Sequence, residues 1–396
     1  MTDPAHDPVP DPFSHAGRTP AHVLSRREWA TAALAAAGVL AARRLVGQDA
    51  RAATQPPRTV GGLVIRNARA LDAEAPLGAL ATFETAPEHF FVRSHFGPPA
   101  PIPLAWTLTI DGEVARPVTV TLDDIRRMGG RSHAVTLECA GNGRGVFALP
   151  KTSGVQWEHG AVSTATWTGV PLGALLERAG LRPTAQHLWT EALDHAPVPS
   201  VPKFLRSIPR QVALGDAFVA YAMNGRPIPL LHGGPLRLIV PGWFGMASTK
   251  WLTHVHAMPV ESDNYFMSHG YRYADGSAVT TMRAKSVIAA PLAGQRVPAG
   301  RLTVRGQAWT GVRVGGIRGV DVSRDGGRTW STARLVGPAQ SGAWRTWEAA
   351  VDVRPGPAVL LARATDATGA VQPMQAAANP GGYGNNSIHQ VPIHVV

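Results

Sequence analysis

Apolar runs bounded by turn residues predict several strands in the first 285 residues. These runs cover 106–110, 134–138, 218–223 and 236–240, and Gly, Pro or Asn follows each within a few positions. The Asn224-Gly225 pair after the third run is a typical hairpin turn. Residues 53–80 show no strong hydrophobic periodicity. We expect them to form an extended segment that leads into this part of the chain.

Helical spacing is found at two places between these strands. Pro171 precedes Leu172, Leu175, Leu176 and Ala179, which fall on one helical face, and Gly180 then ends the pattern. Thr121 and Asp124 have the spacing of a capping box for a shorter helix that runs through Met128. The combination of strands and helices predicts an α+β domain.

The last third of the chain has a different pattern. From residue 282 to 300 the pattern of apolar and polar positions becomes weak, and Ala, Pro and Gly recur. We interpret this stretch as a domain boundary. Beyond it no helix is predicted, and short strands are expected at 301–309, 317–324, 329–335, 344–353, 358–365 and 391–396. Short strands at this spacing predict an all-β sandwich.

The length and the net charge of the chain limit the kinds of function that it can have. The 396 residues favour two domains, and no apolar segment reaches the length of a membrane span. The net charge of +11 is due almost entirely to Arg, but no Lys/Arg block with interleaved aromatic residues is found. Nucleic-acid binding is therefore not expected, and an anionic small molecule or an acidic protein partner fits the charge better.

The N-terminal 52 residues predict an export signal. Ser25-Arg26-Arg27 precedes a mild apolar run from 30 to 42, and Ala50-Arg51-Ala52 has the form of a cleavage site. This order is typical of a twin-arginine signal, although Arg43-Arg44 after the apolar run departs from it, and a short amphipathic helix is the alternative. The sequence thus predicts a twin-arginine segment at 1–52 and a periplasmic or extracellular protein.

Cys139 is the only cysteine in the chain, so it cannot form an internal disulfide or build a zinc or iron–sulfur site by itself. It follows the predicted strand at 134–138, in a loop that contains three glycines and Arg144. One interpretation is a small buried apolar side chain, the usual role of a free Cys. The other is a thiolate ligand to a soft metal whose remaining ligands come from a cofactor, and the glycines and Arg144 favour it.

Basic residues recur beside glycines and turns. Arg93 and His95, His232 and Arg237, and Lys250 all have this setting. Dispersed positions of this kind can converge on one phosphorylated cofactor without a P-loop or a dinucleotide fingerprint, and a surface or structural role is the alternative for each residue.

Four sequence blocks carry a resemblance to a known family. They are F-F-V-R-S-H at 90–95, T-L-E-C-A-G-N-G-R at 136–144, the W-to-L block at 157–172, and H-G-G-P-L-R-L-I-V-P-G-W-F-G-M-A-S-T-K-W-L at 232–252. In this order and spacing they resemble the sulfite oxidase family of molybdenum enzymes, from about residue 80 to the C-terminus. The resemblance implies a molybdopterin-binding catalytic domain at 53–285 followed by an immunoglobulin-like dimerisation domain at 286–396.

The resemblance also implies a cofactor site. Cys139 would bind molybdenum, and a pyranopterin dithiolene would supply the other sulfur ligands. The residues that match the family's cofactor-binding positions are Phe91, Val92, Arg93, Ser94, His95, Asp194, His232, Arg237, Ser248, Thr249 and Lys250.

The substrate pocket is implied in the same way. Arg93 and Arg144 match the pocket arginines, and Tyr271 is the best match to the pocket tyrosine, with Tyr265 and Tyr273 as competitors. Guanidinium groups suit a small oxyanion such as sulfite because they are always charged and donate from a planar fork. A pocket lysine of the animal members is missing, since Thr152 and Ser153 stand at its place.

The implied activity is the oxidation of sulfite to sulfate. Neither a C-x-x-C-H haem attachment nor an H-P-G-G motif is found, so we expect no haem in this chain and an external electron acceptor, for which a cytochrome c is one candidate. A homodimer is expected from the dimerisation domain. The alternatives are a reductase of another oxo substrate, such as a sulfoxide or nitrate, on the same cofactor, and a secreted binding protein that has lost its chemistry.

Overall fold

The computed structural model describes residues 59–68, 70–147, 151–196 and 198–396. The predicted signal segment at 1–52 lies outside the described residues. The described residues all belong to a single compact unit. Within the described ranges no helix is both long and apolar enough to cross a membrane.

The first part of this unit contains three small sheets. Its strands in chain order are β1 (Thr59–Val60), β2 (Leu63–Asn67), β3 (Asp72–Glu74), β4 (Thr107–Gly112), β5 (Val118–Thr121), β6 (Arg131–Glu138), β7 (Val162–Pro171), β8 (His187–Ala192), β9 (Leu205–Pro209), β10 (Phe218–Met223), β11 (Arg226–Pro227), β12 (Arg237–Ile239) and β13 (Leu252–Met258). One sheet has the order β1-β2-β3, a second has β11-β10-β7-β6 with β12 also paired to β10, and a third has β5-β4-β13-β8-β9.

Four α-helices connect or cover these sheets: α1 (Leu122–Arg127), α2 (Leu172–Ala179), α3 (Arg210–Leu214) and α4 (Tyr265–Ser268). The capping box of α1 is formed as predicted, with Thr121 and Asp124 bonded reciprocally. In α2 the predicted apolar face is fully buried, and Gly180 ends the helix in a left-handed conformation at φ 71°. That face packs into the largest apolar core, together with residues of β4 and β13.

The C-terminal part is an all-β sandwich. Its strands are β14 (Lys285–Ala290), β15 (Arg296–Val297), β16 (Gly300–Trp309), β17 (Ile317–Ser323), β18 (Ser331–Thr332), β19 (Arg334–Val336), β20 (Arg345–Val353), β21 (Gly356–Asp366) and β22 (His389–Val395). A four-stranded sheet in the order β14-β16-β20-β19 faces a five-stranded sheet in the order β15-β22-β21-β17-β18. Apolar residues of both sheets meet in one core, so the predicted sandwich is confirmed.

The structure adds elements in two stretches where the sequence predicted no strand. Residues 59–74 form the small sheet β1-β2-β3, although an extended approach was expected there. The stretch at 282–300 contains β14, which pairs with β16 inside the sandwich. Five of the six residues of β14 are buried, so the strand lacks the alternation that reveals a half-exposed strand in a sequence.

Candidate active site

Cys139 follows β6 directly and begins a tight loop. The N–H of Asn142 donates to the Cys139 carbonyl at 2.8 Å, and the N–H of Arg144 donates to the Gly141 carbonyl at 2.9 Å. A Cβ atom at Gly141 would lie 2.7 Å from Nη1 of Arg144, so the absence of a side chain at Gly141 leaves room for the Arg144 guanidinium over this loop. The sequence therefore brings Cys139 and Arg144 to the same point by local geometry.

Two connected spaces meet at Cys139. The residues that line the inner cavity include Phe91, Ser94, Asp194, Arg237, Ser248, Thr249 and Lys250. The outer cleft is lined on its other side by residues that include Asp72, Arg144, Trp157, Tyr265, Phe266 and Tyr383. Arg93, His95, Cys139 and Tyr271 line both spaces. Cys139 thus stands between a deep cavity and an open cleft.

The inner cavity carries buried cations. Burial lowers the pKa of Arg237 to about 9, and burial together with the Arg237 charge lowers the pKa of Lys250 to about 7. Nε of Arg237 has no hydrogen-bond partner among the described residues, while its Nη1 donates to the His232 carbonyl at 2.9 Å. Burial also raises the pKa of Asp194 to about 6, although Lys250 opposes this. A buried cationic cavity with an unpaired N–H is suited to an anionic group such as a phosphate.

Arg93 links the two spaces. Its Nη1 lies 3.2 Å from the fully buried Asp72 carboxylate and also donates to the Ser94 carbonyl. Burial raises the pKa of the Cys139 thiol, and Arg93, the Gly141 N–H and Arg144 all oppose that rise. Burial outweighs these groups, so the thiol is protonated when no metal is bound, and the same donors and charges would reduce the cost of the thiolate that binds a metal.

Tyr271 is the tyrosine that the structure places in the pocket. It is buried, lines both spaces, and its hydroxyl lies 3.1 Å from Nε2 of His95. Tyr265 is exposed at the rim of the outer cleft, and Tyr273 lines neither space. Tyr271 also has a φ of 56°, which is unfavourable for an aromatic residue, and the Val279 N–H fixes its carbonyl at 2.9 Å.

The protonation states around Tyr271 follow from burial. Burial raises the pKa of Tyr271 to about 12, with Arg93 opposing the rise, so the phenol is neutral. Burial, followed by the charges of Arg93, Arg206 and Lys250, holds the pKa of His95 well below its ordinary value. A neutral imidazole and a neutral phenol therefore face each other beside Cys139, and each is able to donate a hydrogen bond.

Two predicted cofactor residues do not line the inner cavity. Val92 packs with Leu63 and Ala73, and its backbone pairs with that of Ala73. The ring of His232 is buried, and its Nε2 lies 2.8 Å from the Pro87 carbonyl. In the structure, the backbone pairing of Val92 with Ala73 fixes the chain directly before Arg93, and the His232 carbonyl accepts a hydrogen bond from Arg237.

Two further residues at the site have little signal in the sequence. Arg206 is buried behind Tyr271, with its guanidinium carbon 5.0 Å from the centre of that ring. Nε of Arg206 has no hydrogen-bond partner among the described residues. Tyr383 comes from the sandwich and stacks on Tyr271 at 5.2 Å. The Gly-Gly-Tyr-Gly run around Tyr383 was the one available signal, whereas a single Arg in a strand carries none.

The loop that holds Cys139 rests on a buried polar network. Nζ of Lys285 lies 3.0 Å from Oε1 of Glu138, and Nε1 of Trp309 donates to Oε2 of Glu138 at 2.9 Å. Asn142 donates to the same carboxylate at 3.0 Å. Lys285 and Trp309 belong to strands of the sandwich, so the C-terminal part supports the base of the site.

The residues present fit a metal held partly by an organic cofactor. Among the described residues no group of three or more His, Cys, Asp or Glu side chains could hold a metal ion. Cys139 offers one soft thiolate, and the adjacent inner cavity offers buried cations and an unpaired Arg237 N–H for an anionic cofactor. This donor set matches a molybdenum that receives its remaining sulfur ligands from a pterin.

Comparisons with known proteins agree with this chemistry. Residues 95–266 match the sequence model of the oxidoreductase molybdopterin binding domain, and residues 276–396 match that of the Mo-co oxidoreductase dimerisation domain. Sulfite oxidase of Gallus gallus is 36% identical over 347 residues, which are 81% of this chain and 75% of that protein. The chain belongs to the sulfite oxidase family of molybdenum enzymes.

Two other relatives show the extent of the likeness within the sulfite oxidase family. Mitochondrial sulfite oxidase of Homo sapiens is 33% identical, over 84% of this chain and 66% of that protein. The crystal structure of the sulfane dehydrogenase SoxCD from Paracoccus pantotrophus superimposes with a TM-score of 0.71 at 32% identity, over 82% of this chain and 84% of that chain. The predicted family, fold class and molybdopterin-dependent oxidoreductase type are therefore confirmed.

The inner cavity gives a test of where the cofactor's anionic end binds. We expect Lys250→Met to lower the pterin and molybdenum content several-fold, because it removes a cation from the cavity. The stability of the cofactor-free protein should change little, because the cost of burying the Lys250 ammonium is offset in part by its bond to the Leu231 carbonyl at 3.1 Å, and the substitution removes both. Fluorescence of the extracted, oxidised pterin, metal analysis and urea unfolding measure these effects.

Lys203→Met is the matched control for Lys250→Met, because Lys203 is an exposed lysine paired with Glu191 at the surface. A full cofactor load in Lys250→Met, equal to that of the control, would contradict the placement of the anionic end in the inner cavity.

Proposed function

We propose that this protein oxidises sulfite to sulfate and passes the electrons to an external acceptor. The observation that carries the proposal is the outer cleft, where Arg93, Arg144 and Tyr271 converge on Cys139. The likeness to sulfite oxidases supports it. When bound, the molybdenum cofactor supplies the oxygen-atom transfer and the two-electron chemistry, and the protein's own residues bind and orient the substrate.

Charge complementarity explains the choice of substrate. Sulfite is a small anion with up to two negative charges, and Arg93 and Arg144 place two permanent positive charges beside the site of reaction. The Asp72 carboxylate partly neutralises the charge of Arg93. The same ion pair keeps the Arg93 guanidinium in one orientation. Arg144 is oriented by the carbonyls of Gly381 and Val155, at 2.9 Å from Nη2 and 3.1 Å from Nη1. Fixed donors of this kind bind an oxyanion with little loss of side-chain entropy.

Tyr271 has a second role in the proposed reaction. Its neutral phenol donates to a substrate oxygen or accepts from His95, so it orients the substrate without adding charge. Phe204 and Phe266 pack against the His95 ring and fix its position. The aromatic surround limits water around the reacting atoms, which strengthens the electrostatic contacts of the arginines.

The arginines can be tested by removing one charge at a time. We expect Arg93→Gln and Arg144→Gln to lower kcat/KM for sulfite, per bound molybdenum, by about tenfold to a hundredfold, because each loses a charge-assisted contact. Tyr271→Phe should have a smaller effect. Steady-state assays with ferricyanide as acceptor, combined with metal analysis, give these values.

Arg301→Gln is the control for overall charge, because Arg301 is exposed on the sandwich. Unchanged kcat/KM per molybdenum in both pocket variants would exclude the sulfite pocket. A loss of molybdenum with normal kinetics in the remaining holoenzyme would assign these arginines to cofactor binding instead.

We also propose that the protein is exported by the twin-arginine route to the periplasm or the cell exterior. The sequence of residues 25–52 supports this, and the need to insert a complex cofactor before export agrees with it. Replacing Arg26-Arg27 by Lys-Lys should leave the holoenzyme in the cytoplasm, as measured by cell fractionation with a Sec-exported marker as control. Equal export of both forms would exclude this route.

A homodimer formed through the sandwich is the proposed assembly, supported by the match of residues 276–396 to a dimerisation domain. Light scattering on the intact holoenzyme should give twice the monomer mass of 41.8 kDa, less any cleaved segment. A monomer at micromolar concentration would exclude it. The external acceptor, with a cytochrome c as one candidate, and the lack of haem in this chain remain predictions.

A further inference from the structure

A loop of the sandwich covers the Cys139 loop. This loop spans residues 379–385, between β21 and β22, and is called the 379–385 loop here. Nδ2 of Asn385 donates to the Gly143 carbonyl at 2.7 Å, and the Gly384 N–H donates to the Ala140 carbonyl at 2.8 Å. These bonds fix the 379–385 loop against the residues on either side of Gly141 and Asn142.

The loop is also fixed internally. Nδ2 of Asn379 donates to the Tyr383 carbonyl at 2.8 Å, and the Tyr383 N–H donates to Oδ1 of Asn379 at 2.9 Å. A Cβ atom at Gly382, where φ is 58°, would lie 2.5 Å from Oγ1 of Thr152 and 2.9 Å from Cγ of Arg144. Glycine at this position therefore allows the loop to lie directly on Arg144.

These contacts place the Tyr383 ring in the outer cleft. The ring stacks on Tyr271 with centroids 5.2 Å apart and an interplanar angle of 26°. The guanidinium carbon of Arg144 lies 5.3 Å from the centre of the same ring. Tyr383 thus packs against two residues of the proposed substrate pocket, and it lines the cleft together with Cys139 and Arg93.

We propose that Tyr383 is a specificity-determining residue, which the sandwich contributes to the outer cleft and whose ring limits the size of the sulfur oxyanion that reaches Cys139. The proposal rests on the proposed sulfite oxidation. The ring contacts Tyr271 and Arg144, and the Asn379 side chain fixes the backbone from which it projects, so turning the ring out of the cleft would break both ring contacts. A substrate with a bulky substituent on sulfur would have to overlap it.

The expected selectivity follows from which groups recognise the substrate. Arg93 and Arg144 recognise the charged oxygens of the substrate. Tyr383 has no part in that recognition. Loss of the ring should therefore change the tolerance for a substituent more than the affinity for the small anion. The Tyr383 ring, and not its hydroxyl, limits the size of the substrate. A phenylalanine at this position should therefore preserve the selectivity.

The test compares sulfite with benzenesulfinate on the holoenzyme. Each substrate gains one oxygen from water and releases two protons and two electrons, which reduce two ferricyanide ions, to give sulfate or benzenesulfonate. We expect Tyr383→Ala to raise the ratio of kcat/KM for benzenesulfinate to that for sulfite by about tenfold or more, the range for steric discrimination in a pocket. Tyr383→Phe should leave this ratio within about twofold of the wild-type value.

A binding measurement makes the proposal independent of turnover. Calorimetry with sulfate and benzenesulfonate should show tighter benzenesulfonate binding to Tyr383→Ala than to the wild type, and similar sulfate binding. Trp330→Ala is the matched control, because it removes an aromatic ring from another turn of the same sandwich. It should change neither the kinetic ratio nor the binding.

The outcomes separate the two proposals. If wild-type holoenzyme with a full molybdenum content does not oxidise sulfite, the proposed function fails, and the binding data still decide the role of Tyr383. If Tyr383→Ala keeps its molybdenum, and both the kinetic ratio and the relative binding of benzenesulfonate equal those of the wild type, the size-limiting role is excluded.

Discussion

The buried carboxylate of Glu138 is the constraint on which the site depends. It immediately precedes Cys139, and its oxygens receive the Lys285 ammonium, the Trp309 indole N–H and the Asn142 amide. A buried carboxylate without such partners costs several kcal/mol, so the loop and the sandwich have to stay in register to satisfy it. The position of Cys139 is thereby tied to Lys285 and Trp309, which lie 147 and 171 residues after Glu138 in the chain.

This coupling explains why the sandwich is more than an appended module. Lys285 and Trp309 support the Cys139 loop from behind, and the 379–385 loop holds Arg144 and Tyr271 from the front. The Gly381 carbonyl accepts from two nitrogens of Arg144, and this fixes a guanidinium that would otherwise sample many rotamers. The site is therefore assembled from both parts of the chain, and any change at their contact surface acts on it.

The two spaces that meet at Cys139 differ in electrostatic character. In the inner cavity, burial lowers the pKa of both Arg237 and Lys250, and a bound anionic group would offset the cost of burying these charges. In the outer cleft, Arg93 and Arg144 already have partners in a carboxylate and in backbone carbonyls. The inner cavity is thus suited to retain a cofactor tightly, and the outer cleft to bind and release a small anion in each turnover.

The sequence by itself determined the α+β part, the sandwich, the capped helices α1 and α2, and the concentration of chemistry around Cys139. These features are encoded locally, by periodicity, by turn residues and by a motif of nine consecutive residues. The family likeness added most residues of the inner cavity and proposed Tyr271, whose competitors Tyr265 and Tyr273 could not be separated by spacing alone. The positive φ of Tyr271 and its contact with His95, which distinguish it, appear only in three dimensions.

Only the tertiary structure decided the rest, because it depends on contacts between distant segments. With five of its six residues buried, β14 has no alternating pattern, and the two sandwich partners of Glu138, Lys285 and Trp309, lie in strands with no chemical signature of their own. Arg206 and Tyr383 approach Tyr271 from 65 and 112 positions away in sequence. Packing likewise places Val92 and His232 beside the inner cavity and not in its lining. A sequence motif does not record such packing.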